Sequence, residues 1–253
     1  MFFRFTAPLA GLIAIVLSAT AMAADVPANI AAAIANPARP EAQRERDAAR
    51  HPGELLAFAG VKPGDKVADF MMGGGYFTRI FSGAVGATGK VYAFQAAEFI
   101  SFMADYATWQ DETVGFAPNI VAVRASLAGF SFAEPLDLIF TAQNYHDLHL
   151  GSARPEQITA INGQLFAALK PGGVLLVIDH YAADGSGDRD SNKLHRIDIA
   201  MVKAELTAVG FVLEAESDIL RNPADPRTAN VFDPALRGKT DQFVLKFRKP
   251  ASS

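Results

Sequence analysis

Residues 66–78, KVADFMMGGGYFT, constrain the fold of this chain more than any other stretch. A short apolar run ends in three consecutive glycines and passes into residues of helical character. A buried strand (67–71) that meets a glycine turn and then a helix is the opening unit of a parallel α/β sheet. In such sheets ligands bind beyond the carboxyl ends of the strands, where glycine lets backbone N–H groups approach closely. The spacing is not the G-x-G-x-x-G of a dinucleotide site, and no Gly-Lys-Ser/Thr follows to make a P-loop. Asp69, near the strand end, is positioned to hold the turn or to receive a polar group of a ligand. A Cβ branch at Gly75 is expected to block that ligand without unfolding the chain.

The alternation continues downstream. Residues 91–95, 120–124, 136–142 and 174–179 read as strands, and 136–142 is almost wholly apolar, as a strand covered on both faces should be. Helices are expected from Pro52, over 77–85 up to Gly86, over 98–110, over 155–169 and over 198–209. In the fourth of these, Ile158, Ile161, Leu165 and Leu169 recur at helical spacing. Residues 211–215 and 242–247 close the sheet, the last alternating as an edge or antiparallel strand would. The pattern implies an α/β fold with a doubly wound, mostly parallel seven-stranded sheet and an antiparallel last strand.

The amino end reads differently. Arg4, the apolar run 9–17 and Ala21-Met22-Ala23 have the order of a signal peptide with an A-x-A cleavage site, so residues 1–23 are expected to be removed on export. The run is short for a membrane span, so no stable membrane anchor is expected after cleavage. Residues 24–51, rich in alanine, charge and proline, read as an N-terminal helical arm, and 52–253 as the main domain. The chain has no cysteine, which excludes disulfides and thiol catalysis and suits a bacterial periplasm. The formal net charge is −4, so no basic excess exists to neutralise a nucleic acid backbone. A small-molecule partner is the expectation.

Two motifs carry a resemblance. The glycine turn 69–75 resembles motif I of the class I S-adenosylmethionine-dependent methyltransferases, an acidic residue followed by a Gly-rich turn. The segment 168–180, ALKPGGVLLVIDH, resembles the helix–turn–strand that leads into that family's fifth strand. The resemblance covers roughly residues 55–248. More narrowly, the chain is similar to a group of exported methyltransferase-like proteins. It implies a Rossmann-like methyltransferase fold, S-adenosylmethionine as cofactor, and Asp69, Gly73, Gly74 and Gly75 on the methionine side of its pocket. Gln95 or Glu98 would meet the ribose. The chain departs from the family pattern at three places. Met71 stands where the first glycine is usual, Gln95 where an acidic residue ends the second strand, and Arg124-Ala125-Ser126 where an acidic residue often meets adenine.

Chemistry is expected where the histidines gather. His146 and His149 follow the fourth strand, His180 ends the fifth, and His195 opens the following helix. A histidine there suits a general base that takes a proton from a hydroxyl or amine. His146, Asp147 and His180 are the candidates for the acceptor side. Asp147, Asp179 and Asp198 would also permit imidazole and carboxylate ligation. The spacing His146-x-x-His149 is not the pair of a zinc helix, and no ligand triad is recognisable, so no metal ligand is assigned. Arg44, Arg46 and Arg50 with Asp47 read as a charged strip of the arm, and the proline-rich loop 221–240 as a pocket wall. The expected function is methyl transfer to an oxygen or nitrogen of a small molecule by an exported enzyme. The alternatives are an exported small-ligand binder on the same fold and a His/Asp metal-dependent enzyme.

Overall fold

Hydrophobic runs set the strands, and the computed structural model describes residues 26–151 and 154–251. The expected leader, residues 1–23, lies outside the described residues. The strands are β1 (Lys66–Phe70), β2 (Lys90–Ala96), β3 (Ile120–Ala125), β4 (Leu136–Ala142), β5 (Leu169–His180), β6 (Val212–Ser217) and β7 (Gln242–Arg248). They form one sheet in the order β3-β2-β1-β4-β5-β7-β6. β1 to β5 pair in parallel, and β7 runs antiparallel to both β5 and β6. The doubly wound seven-stranded sheet with an antiparallel last strand is therefore present. Strand order reverses between β1 and β4, which opens a crevice at their carboxyl ends.

Period-two alternation in the central strands feeds two cores. On one face Val67, Val91, Leu138, Phe140 and Leu176 pack against helices Ala28–Ile34, Pro52–Ala59 and Tyr76–Val85. On the other, Phe70, Phe94, Ile139, Leu175 and Val177 meet helices Pro155–Ala168 and Ile199–Ala208. The rings of Phe70 and Phe94 stack 4.5 Å apart across β1 and β2. Asp198 caps its helix by accepting the N–H of Ala200 at 2.9 Å.

Local structure departs from the sequence pattern at two places. The helix expected over 98–110 is two helices, Ala97–Phe102 and Asp105–Val114, separated by Met103 in extended backbone. Asp105 in the first turn suits a fresh helix amino terminus. β5 begins at Leu169 rather than 174. Lys170-Pro171-Gly172-Gly173 is absorbed as a register shift between Leu136↔Leu169 and Leu138↔Val174. Gly172 at φ 79° and a hydrogen bond from its N–H to the carbonyl of Lys249 keep the turn attached to the sheet.

The amino-terminal segment forms helices Ala28–Ile34, Glu41–Arg44 and Asp47–Arg50. Ile30 and Ala33 are buried against helix Tyr76–Val85. A Cβ on Gly83 would lie 2.8 Å from that of Ala33, so the two helices meet through small residues. Arg39 is buried and donates to both oxygens of Asp47, which also accepts the hydroxyl of Tyr76 at 2.6 Å. The segment is thereby pinned beside the glycine turn. Among the described residues no helix is long and apolar enough to cross a membrane.

Candidate active site

Both strands that flank the crevice leave the sheet through a non-glycine residue in left-handed backbone. Met71 follows β1 with φ 60° and Gln143 follows β4 with φ 65°. Such residues cost roughly 1 kcal/mol each and gather at functional sites. Met71 thus takes a left-handed backbone that glycine adopts without strain. Asn144 joins the two exits, its Nδ2 donating to the carbonyls of Met71 (3.0 Å) and Ala142 (2.7 Å). Gly73 and Gly75 continue the turn with φ 56° and 71°.

The residues named for the cofactor divide into two kinds. A Cβ on Gly73 or Gly74 would meet no atom within 4 Å, so both face open space. Gly75 does not. Its Cβ would lie 2.2 Å from Oγ1 of buried Thr113, so this glycine serves packing, and a Gly75→Val change would disturb the fold as well as any ligand. Asp69 is buried and accepts the hydroxyl of Thr78 at 2.6 Å, so it holds the turn to the next helix. Burial pushes its carboxyl up to about 6, against the hydrogen bond from Thr78 and the charge of Arg50. Gln95 is buried and its Oε1 accepts the N–H of Gly73 at 3.3 Å. Glu98 turns towards the segment after β3, accepting from Ser126 Oγ (2.5 Å) and the N–H of Leu127 (3.1 Å). Arg124 is held by Ala107, Gln110 and Asp111 of helix Asp105–Val114.

A cavity of about 560 Å³ opens at the carboxyl ends of β4 and β5. Ala142, Gln143, Ile178 and His180 form its floor, Arg46, Ala49 and Arg50 come from the amino-terminal segment, and Val231, Phe232, Arg237 and Gly238 from the loop 221–240. Among the described residues no carboxylate lines it. Arg46, Arg50 and Arg237 have no ion-pair partner among the described residues; Arg39, Arg196, Arg221 and Arg227 hold the nearby carboxylates instead. Arg50 stacks on Tyr76 (4.3 Å) and Phe77 (4.7 Å), and burial, with Arg46 beside it, lowers its guanidinium to about 10. It remains charged at neutral pH, so the cavity is electropositive. Asp47, grouped in the sequence with Arg44, Arg46 and Arg50, belongs to Arg39.

The long loop is clamped rather than loose. Arg196 and Asp225, both fully buried, pair at 2.9 and 3.1 Å, and Asp225 also accepts the N–H of Asp241. Asp241 in turn holds Arg221 and Arg227.

The histidines separate. His180 lines the cavity, with Nδ1 2.7 Å from Oγ1 of Thr240. Burial lowers it to about 4, outweighing the pull of Asp179, so it is neutral at pH 7. His146 and Asp147 lie in the single 3-10 turn His146–His149 after β4. Burial draws His146 down, but Asp179 and Asp147 outweigh it and hold the imidazole at about 10. In this state His146 is a cation and not a free base. His149 points elsewhere, to Glu205 at 3.2 Å. His195, grouped by the sequence with the other histidines but not with the acceptor-side candidates, ends helix Ser191–Leu194 rather than opening the next one, and its Nδ1 lies 3.3 Å from Nε2 of His146.

Solved structures share this architecture. An S-adenosylmethionine-dependent methyltransferase from Mesorhizobium loti superposes with a TM-score of 0.56 over 80% of this chain and 99% of its own, at 16% identity. One from Aquifex aeolicus superposes with a TM-score of 0.53 over 78% and 88%, at 21% identity. The fold is that of the class I methyltransferases. The cyclase SpnF shares it too, with a TM-score of 0.54 over 83% of this chain and 82% of its own, at 17% identity. No family profile and no curated protein sequence matches the chain. Within the methyltransferase fold, the Met71–Gly75 turn is the segment after the first strand and the cavity lies beyond the fourth and fifth.

Proposed function

We propose that this protein is an exported enzyme that transfers a methyl group from S-adenosylmethionine to an oxygen or nitrogen of a small molecule bearing an anionic group. The observation that carries the reading is the open face of Gly73 and Gly74 at the carboxyl end of β1, in a sheet shared with solved methyltransferases. The residues there fit the cofactor. Gln43 donates Nε2 to the carbonyl of Gly74 at 3.0 Å, while its buried Oε1 has no partner and is free to accept from a ligand amine. Gly73, Gly74 and Gln43 would hold the methionine end. When bound, the cofactor supplies an electrophilic methyl group.

The chain supplies orientation and proton handling. Arg50, Arg46 and Arg237 would hold the anionic group of the acceptor. His180 is the neutral ring in the cavity; with Nδ1 engaged by Thr240, Nε2 is the atom left to take the acceptor's proton. Export of the chain from residue 24 rests on the charged, apolar and A-x-A order of residues 1–23. Calorimetric titration of S-adenosylmethionine into the purified protein tests the reading, with binding expected for the wild type and lost in Gly74→Val. Absence of binding by the wild type would remove it.

A second reading is a ligand-binding protein on this fold without methyl transfer. The engagement of Gln95 with Gly73 and of Glu98 with Ser126 and Leu127 favours it, since neither stands free for a ribose. An anionic ligand that binds in the cavity while S-adenosylmethionine does not would select it.

A further inference from the structure

Three side chains beside the cavity bring metal-binding atoms together: His146, Asp147 and His195. Nε2 of His146 lies 3.2 Å from Oδ1 of Asp147 and 3.3 Å from Nδ1 of His195, and the third edge of the triangle is 3.9 Å. A point about 2.0 Å from all three atoms exists at the centre of this triangle, the length of a zinc–imidazole or zinc–carboxylate bond. Two imidazoles and one carboxylate are the donor set of catalytic zinc and non-haem iron sites, which keep a coordination position open.

A second observation is independent of the triangle. Asp179, fully buried on β5, lies with Oδ1 2.8 Å from Nδ1 of His146, and its Oδ2 accepts the backbone N–H of the same residue at 2.7 Å. A carboxylate on Nδ1 keeps the proton there and aims Nε2 at the triangle, where a bound metal ion would displace the second proton that makes His146 a cation in the metal-free chain. Metal-ligating histidines are oriented by this kind of partner.

We propose that His146, Asp147 and His195 bind one divalent first-row transition metal ion, with Asp179 orienting His146. The site adjoins the cavity: the rings of His180 and Phe232, both in its wall, lie 6.1 Å and 4.9 Å from those of His146 and His195. An open position there takes a water or an acceptor oxygen and lowers its pKa. Metal binding is read without S-adenosylmethionine, so the proposal stands or falls apart from methyl transfer.

The test uses the purified protein without an affinity tag, stripped with a chelator. Zinc chloride is titrated in a calorimeter, and cobalt chloride is followed by visible absorption. One zinc ion per chain is expected, and cobalt should give the d–d bands of a four- or five-coordinate nitrogen–oxygen site. His195→Ala should weaken zinc binding at least about 100-fold, and Asp179→Asn about 10- to 100-fold. His195 is partly exposed, so its variant tests the site without emptying the core, and the cobalt spectrum needs no variant. Failure of the wild type to bind either metal stoichiometrically, or wild-type zinc affinity in folded His195→Ala, overturns the proposal.

Discussion

Gln95 accepts the N–H of Gly73 through its side-chain oxygen at 3.3 Å, which ties the end of β2 to the turn that follows β1. The amide is buried, so removing the acceptor leaves a donor with little water to replace it. Gln95→Leu is expected to lower stability by about 1–2 kcal/mol and to weaken S-adenosylmethionine binding through the loosened turn. Urea unfolding and calorimetry on the same variant measure the two effects. An unchanged midpoint would show that the turn does not depend on this bond.

The neighbouring glycines should respond in opposite ways. Gly75 has φ 71° and no room beside Thr113, so Gly75→Ala should cost about 1–3 kcal/mol. Gly74 faces open space, and Gly74→Ala should leave stability within about 0.5 kcal/mol. Any loss of ligand affinity in Gly74→Ala is then a direct effect on the site. Thermal unfolding of the pair separates the two expectations; equal melting points would contradict them.

Asp69 carries a pH signature. Its folded pKa, about 6, lies above the ordinary 3.8, so the folded chain holds the proton more tightly than the unfolded chain between those values. The buried carboxylate therefore costs stability in full above about pH 6, and the cost is relieved as pH falls towards 4. Asp69→Asn should be more stable than wild type at pH 7.5 by about 1–2 kcal/mol, with the advantage fading near pH 4. Denaturation curves of both proteins across this range give the difference directly. A constant difference would exclude Asp69 as the titrating group.

Arg50 is charged, half-buried and without a carboxylate. Arg50→Met keeps an apolar stem against Tyr76 and Phe77 and removes the charge. Such a variant should be as stable as wild type or slightly more so, and should lose affinity for anionic ligands of the cavity by about tenfold or more. Fluorescence or calorimetric titration with small carboxylates and phosphates provides the measurement. Equal affinity in wild type and variant would take the anion away from Arg50.

The Arg196–Asp225 pair holds the loop 221–240 over the cavity. Removing one partner leaves a buried charge unpaired, and Arg196→Met is expected to cost about 3–5 kcal/mol. Limited proteolysis should then cut within 221–240 faster than in wild type. Intact resistance to cleavage would mean that other contacts hold the loop.

The sequence by itself determined the sheet and where its glycine turn lies. Apolar runs such as 136–142, the helical spacing of Ile158, Ile161 and Leu165, and the three glycines are local patterns, and local backbone chemistry carries them. The alternation of β7 suited an edge or an antiparallel strand, and the sheet makes it an antiparallel inner strand between β5 and β6. Tertiary structure decided what the polar residues do. Gln95 and Glu98 both suit a ribose by type, yet one bonds Gly73 and the other Ser126, because register and loop path choose partners that spacing does not encode. Met71 stands where the resemblance expects a glycine, and only the structure reveals that it adopts left-handed backbone, with φ 60°. His146 stands three positions from His149 in the sequence, but the fold turns His149 to Glu205 and brings His195 to His146 across 49 positions. Such a site is built from separate chain crossings, and the geometry of three donors exists only once the sheet has brought their loops to one edge.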